Sequence, residues 1–372
     1  MNQKGSILWL NLIVLSSTLL LACTVVPWYG LHHGYSWPLW LTATLLWSWS
    51  GLSITAGYHR LWAHRSWQAH PALQWFFAIG GSIAMQNTIL HWCSDHRRHH
   101  QHVDDNQADP YSAQRGFWFS HVGWLLRDHS LSLSLINNVR DLQKNPIVRW
   151  QHQHYLALTI GLNLALPAGL GWLLGDIVGG LLIIGVLRLV LVHHGTFLIN
   201  SLAHIWGRQP YSDAHSSRDN DLLALLTFGE GYHNFHHTFE YDYRNGIAWW
   251  HFDPTKWFIA LAHKLKLATQ LRQAPTIRIE AARLQMQLKR SQQRLAQSVR
   301  ASELLAHLES EYTLLIERLQ HYYDSQQRLL KQNRQQLDRR AKQQLQELRR
   351  SWQQQQRLWL QCRQQLHALA RY

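Results

Sequence analysis

The chain has 372 residues, enough for one large domain and an appendage, and a formal charge of +14. Three cysteines, Cys23, Cys93 and Cys362, exclude a disulfide framework or a zinc ribbon. The basic surplus points to an acidic partner, either an anionic membrane face or a polyanion. Of that surplus, most lies beyond residue 270, where 19 Lys/Arg face 8 Asp/Glu.

Residues 6–26 form the first apolar run, uncharged and long enough to cross about 30 Å of hydrocarbon. A second run, 37–57, follows at once, which argues against a cleaved signal peptide. The run HRLWAH then places His59 and His64 five residues apart, a spacing suited to a helix end. Residues 72–90 are apolar but hold Gln86, Asn87 and glycines, so a buried or interfacial helix is expected there. HRRHH follows, with His96, His99 and His100 at i, i+3 and i+4, one face of a helix. Residues 155–174 and 177–199 form a second pair of apolar runs. Arg188, inside the fourth, is expected to face protein rather than lipid. NSLAH ends in His204, with Asn200 one turn earlier, and HNFHH repeats the i, i+3, i+4 geometry with His233, His236 and His237.

Four spans put the segment 58–154 and both termini on one side. That segment holds Arg60, Arg65, Arg97, Arg98, Arg115, Arg127, Arg140 and Lys144, whereas the 27–36 linker holds no Lys or Arg. Positive loops stay cytoplasmic, so every histidine group is expected on the cytoplasmic side. Trp28, Trp37, Trp40, Trp249, Trp250 and Trp257 flank apolar runs, as rings at a membrane interface do.

With 26 histidines in the chain, enrichment alone proves little. Two H-x-x-H-H groups, one H-x4-H and a histidine just after a span form a metal-ligand pattern instead. Neutral imidazole is a ligand for iron, zinc and copper, and nine rings are too many for one ion but about right for two. The expected architecture is an all-α integral membrane protein. It has four transmembrane helices, a cytoplasmic helical cap holding a dimetal site, and a C-terminal coiled-coil-like helical tail.

The runs GYHRLWAHRSW, DHRRHHQHVDDNQADP, RGFWFSHVGWLL, LINSLAH, TFGEGYHNFHH and FDPTKWFI resemble the integral-membrane fatty acyl desaturases, in particular the stearoyl-CoA delta-9 type. They cover most of residues 37–265, so residues 1–269 are taken as the membrane domain and 270–372 as the tail. The resemblance implies two iron ions, with dioxygen as co-substrate. Its ligands are His59, His64, His96, His99, His100, His204, His233, His236 and His237, with Asn200 reaching iron through water. It also implies an acyl tunnel bordered by Asn87, Trp92 and Thr196. Animal acyl-CoA members carry an Arg before the Asp of the second box. Here that position is Ser94, and an Arg-Lys pair after WLL is Arg127–Asp128. Contacts to the CoA end are therefore expected from Arg97 and Arg127, with Arg98 and Lys144 as substitutes.

No Gly-rich dinucleotide fingerprint and no fused haem module stands in the chain. Electrons are thus expected from a separate ferredoxin-like or cytochrome b5-like donor with an NAD(P)H reductase. The substrate is acyl-CoA or an acyl lipid. The expected location is a cell inner membrane, or the cytosolic face of the endoplasmic reticulum in a eukaryote. A membrane hydroxylase on the same scaffold is a rival reading. A metal-binding or metal-transport protein is another, disfavoured because the histidines lie outside the spans.

No glycine follows Gly246 and no proline follows Pro275. Leu305, Leu308, Tyr312, Leu315, Leu319 and Tyr322 alternate by three and four, a coiled-coil seam, and Ala341, Leu345, Leu348 and Trp352 resume it. The tail is expected as one long helix or a folded-back pair that buries its stripe on itself, on a second copy or on membrane lipid. Nucleic acid is disfavoured as its partner, because the preceding domain holds it at a membrane.

Overall fold

The computed structural model describes residues 5–128, 135–296, 301–332 and 339–369. Helices carry nearly all of its secondary structure. The one sheet among the described residues is the antiparallel pair Gln68–Ala69 and Ala268–Thr269. The chain divides into two compact units. One is Met1–Arg208 with Ala214–Gln273, and the other is Gln209–Asp213 with Ala274–Tyr372.

Three helices of the first unit are long and apolar enough to cross a membrane: Trp9–His32, Tyr155–Leu173 and Ile177–Ile205. The shortest has 19 residues, about 28 Å at 1.5 Å per residue, close to the hydrocarbon thickness. Leu10, Ile13, Leu20, Leu156, Leu164, Trp172 and Leu173 are each more than half exposed. A surface this apolar belongs in lipid rather than water. Among the described residues three helices qualify, where four spans were expected. Residues 37–57 are helical, with Trp37–Leu52 running into Ser53–Ala63. Their four tryptophans and interspersed Ser and Thr make them less apolar than the other three.

Small residues let this second helix meet the next one closely. A Cβ on Gly57 would fall 2.6 Å from Cβ of Phe77, and one on Gly81 would strike the Tyr58 ring. The Tyr58 hydroxyl in turn accepts from Gln151 Nε2 at 3.0 Å. The apolar stretch 72–90 is not one helix. Pro71–Ile83 ends, and a turn with positive φ at Met85 (51°) and Asn87 (75°) leads into Ile89–Gln101. Thr88 caps the new helix, its hydroxyl accepting from the His91 N–H. Arg188 is buried as expected and donates to the Ile83 carbonyl at 2.7 Å and to Asn163 Oδ1 at 2.8 Å.

In the second unit the described residues of the tail form three helical segments, Thr276–Leu295, Ala301–Gln332 and Arg339–Leu369, where one long helix or a folded-back pair was expected. Residues 297–300, 333–338 and 370–372 of the expected stretch, and the Ala341 side chain, lie outside what is described. Leu308, Leu315 and Leu319 of the seam are buried together with Leu284, Leu295, Trp359, Cys362 and Leu366. The stripe therefore finds its apolar partner within the tail itself.

Candidate metal centre

The nine histidines come from four places in the chain and meet in two groups. His59, His64, His96, His100 and His236 form one, and His99, His204, His233 and His237 the other. In each group the ligand nitrogens lie within 4.8 Å of one another. The HRRHH helix does not face a single group. His96 and His100 turn to the first group and His99 to the second. HNFHH, on the short helix His233–Thr238, is divided the same way, with His236 in the first group and His233 and His237 in the second. Ser53–Ala63 is wound wider than an α-helix, with i→i+5 bonds, and the His64 N–H continues the pattern onto the His59 carbonyl at 3.0 Å. That winding brings residues five apart to one side, which explains the H-x4-H spacing.

The rings point their Nε2 atoms inward. His59 and His236 approach at 2.9 Å, His64 and His96 at 2.8 Å, and His100 and His236 at 3.0 Å. In the second group His204 and His237 each lie 3.1 Å from His233, and His99 lies 3.3 Å from His237. Behind the rings stand acceptors for Nδ1–H. His59 donates to Glu230 at 2.9 Å, His99 to Asp109 at 2.9 Å and His100 to Glu240 at 3.2 Å. His204 Nδ1 meets Ser216 Oγ, which itself donates to Asp104, so the ring is again the donor. A ring that donates from Nδ1 keeps a bare lone pair on Nε2. Several such lone pairs facing one another at about 3 Å repel, and a cation between them removes the repulsion. The donor set, all imidazole, suits iron, zinc or copper. These residues therefore fit two metal ions.

Electrostatics agree. Burial, and then the neighbouring rings, hold His64, His96, His233, His236 and His237 well below the usual histidine range. Burial lowers His100 to about 4 despite the opposing Glu240. These six rings are thus held in the neutral form at pH 7, the form that binds metal. Glu230 is fully buried and burial pushes it up, but His59 and Arg60 win and bring it down to about 2. Arg60 binds Glu230 at 2.8 Å, Asp253 at 3.1 Å and the Tyr243 carbonyl at 2.8 Å. Gly229 has φ 97° and a Cβ there would lie 2.6 Å from Asp253 Oδ1, so only glycine lets Glu230 enter. Glu230, Asp109, Glu240, Ser216 and Arg60 were not foreseen as parts of the site. Glu230 and Asp109 do stand inside the conspicuous runs TFGEGYHNFHH and DDNQADP.

A cavity of about 580 Å³ reaches His59, His96, His99 and His233 and runs along Leu10, Val14, Ile54, Leu156, Ile160 and Phe197. Asn200, Asn87, Trp92 and Thr196 line it. Gln86, also unforeseen, joins two of them: its amide donates to Thr196 Oγ1 at 2.8 Å and its carbonyl accepts from Trp92 Nε1 at 3.3 Å. Trp92 stacks on His96 with ring centroids 5.0 Å apart. Arg97 and Arg127 are not among the lining residues. Arg97 is held by Asp141 at 2.8 Å and by the carbonyls of Trp62, Ala63 and Asn138, and Arg127 donates to the Gly5 carbonyl.

The fatty acid desaturase family model matches residues 35–266. A probable acyl-CoA desaturase of Schizosaccharomyces pombe is 40% identical over 288 residues, 76% of this chain and 59% of that protein. Stearoyl-CoA desaturase 5 of Homo sapiens is 36% identical over 294 residues, 75% of this chain and 85% of that protein. An sn-2 palmitoyl-lipid 9-desaturase of Nostoc is 34% identical over 272 residues, 72% of this chain and 91% of that protein. The chain spans somewhat more than half the length of that Schizosaccharomyces pombe protein, 59%, and of acyl-CoA desaturase 1 of Saccharomyces cerevisiae, 55%.

Proposed function

The chain belongs to the fatty acid desaturase family, and from that we propose that it inserts a cis double bond, at the delta-9 position, into a saturated acyl chain carried on CoA. The observation that carries this reading is an apolar cavity ending at two groups of converging imidazoles. Two irons held by those groups, supplied with dioxygen and external electrons, would provide the power to remove hydrogen from unactivated methylenes.

The chain's own residues do the rest. Leu10, Val14, Ile54, Leu156 and Ile160 hold a hydrocarbon chain and exclude water from it. The Gln86–Thr196–Trp92 hydrogen bonds fix one wall of the cavity beside His96 and so set which methylenes stand next to the metal groups. Glu230, Asp109 and Glu240 hold the protons of His59, His99 and His100 on Nδ1 and keep Nε2 free. Asn200, on the cavity wall, is the residue to hold a water toward one iron.

The same reading makes Trp37–Leu52 and the turn after it a fourth span, with both termini and the metal centre cytoplasmic. The host membrane is a cell inner membrane, or the endoplasmic reticulum in a eukaryote. It requires a separate ferredoxin-like or cytochrome b5-like donor with its reductase. It also makes residues 1–269 the catalytic part and 270–372 an accessory one. One observation favours a second substrate form, an acyl chain on a phospholipid. Arg97 and Arg127, the residues expected at a CoA headgroup, are committed to Asp141 and Gly5 instead.

The test is fatty-acid analysis of a host lacking its own desaturases, with and without this chain. Monounsaturated product that depends on the chain supports the proposal, and hydroxylated product alone would replace it with the hydroxylase reading. Assay of the purified protein with stearoyl-CoA against phosphatidylcholine then separates the two substrate forms.

A further inference from the structure

The helix Thr276–Leu295 carries Gln287, Arg290, Ser291 and Arg294 at i, i+3, i+4 and i+7, one face of an α-helix. Arg363, from Arg339–Leu369, docks on that face. Its Nε donates to Ser291 Oγ at 3.0 Å and its Nη1 to Gln287 Oε1 at 2.9 Å. Trp359 backs it, donating its indole N–H to the same Gln287 oxygen at 3.2 Å, with the guanidinium 5.8 Å from the ring centroid. Arg363 is thus held in place by neutral groups rather than by a carboxylate.

Its neighbours are cationic. Arg294 is exposed and makes no hydrogen bond or ion pair among the described residues. Arg290, also exposed, donates to the Gln209 carbonyl. Nearby acids are engaged elsewhere: Glu280 with Arg283, Asp213 with Lys289, Glu309 with Gln292 and Glu311 with Gln355. Burial, and then the charges of Arg294 and Arg290, push Arg363 below its ordinary value. Arg290 and Arg294 flank Ser291 on the helix where Arg363 docks, so three guanidinium charges act on one another there, and an anion among them would offset their repulsion. The guanidinium fork matches the oxygens of a phosphate group and binds it through paired charge-assisted hydrogen bonds.

We propose that Arg290, Arg294 and Arg363 form a binding site for a phosphate group, carried either by an anionic phospholipid headgroup or by a free phosphate compound. The site lies outside the matched residues 35–266. It therefore stands or falls independently of the desaturase reading.

The experiment uses the full-length protein in detergent and two probes. Short-chain phosphatidylglycerol, against phosphatidylcholine, is followed by native mass spectrometry, and inorganic pyrophosphate by calorimetry. The double variant Arg290→Gln/Arg294→Gln is expected to weaken one of the two by about tenfold or more, and the arm that weakens names the source. Arg363→Lys, which keeps the charge and loses the fork, should weaken the same arm. Arg350→Gln/Arg357→Gln removes as much charge from an exposed part of the third helix and should leave binding unchanged. Circular dichroism checks that each variant keeps its helix. The proposal is overturned if neither probe binds, if the first variant binds both as well as the unaltered protein, or if the control variant loses as much.

Discussion

Nδ1 of His59 lies 2.9 Å from Oε2 of Glu230, and both side chains are buried. The carboxylate joins an imidazole aimed at the first metal group to the Arg60–Asp253 pair behind it. Glu230→Gln keeps the shape but removes the charge that fixes the tautomer. Partners of this kind are worth about 10- to 100-fold in metal affinity or activity. Product yield should fall by at least about tenfold with the protein still in the membrane. Iron titration and product assay on the purified variant check it, and unchanged values in both would remove Glu230 from the site.

His236 and His99 sit in different groups despite their equivalent positions in the two H-x-x-H-H runs. Each alanine variant should abolish unsaturated product. Each should also lose roughly half of the iron, because a missing ligand weakens one ion more than the other. Metal analysis reads this directly. Loss of all the iron in both variants would mean that the two groups fill as a unit.

Asn200 should behave differently. It lines the cavity at the end of the Arg188–Asn200 helix. Asn200→Ala is expected to keep most of the metal and lose most of the turnover. A variant stripped of metal would make Asn200 a direct ligand or a structural residue.

Acid should destabilise the metal-free protein. Burial lowers His100 from its ordinary value of 6.5 to about 4. Between those two values the unfolded chain binds the proton and the folded chain does not, so stability falls as pH drops through that window and levels off below it. Thermal melting of the metal-free protein from pH 7 to pH 4 should show the decline. With metal bound, the decline should move to lower pH, because the metal competes with the proton. Identical profiles with and without metal would contradict the neutral-imidazole assignment.

Truncation after residue 275 should leave a membrane-inserted, iron-binding protein with some activity. The family match ends at residue 266, and the apolar stripe of the tail is buried on its own three helices. Iron content, product yield and mass in detergent, measured beside the full-length protein, decide it. A truncated protein without iron would make the tail part of the catalytic fold.

Local pattern singled out the candidate ligand residues. Spacings of three, four and five bring imidazoles to one side of a helix whatever surrounds it, so four short motifs were enough to single out nine histidines. Apolar runs identified the helix at 155–174 almost to its ends and the start of the one at 177–199, which continues to Ile205. The first span was located, but it extends to His32. The turn at Met85–Asn87 was not legible, because a Gln-Asn pair within an apolar stretch reads equally well as a polar spot on a continuous helix.

Residue types and their spacing along the chain by themselves determined that this protein has long apolar helices, a histidine-rich site and a separate basic tail. Tertiary structure alone decided how the nine rings divide, five and four, with each H-x-x-H-H helix serving both groups. It also decided that Glu230, Asp109 and Glu240 hold the ring protons, that Arg97 pairs with Asp141 and Arg127 with the Gly5 carbonyl, and that the apolar stripe of the tail packs within the tail. The reason is one of range. Helical periodicity acts over one or two turns and defines a face. What that face meets depends on segments more than a hundred residues away, such as His59 against His236 and Arg60 against Asp253.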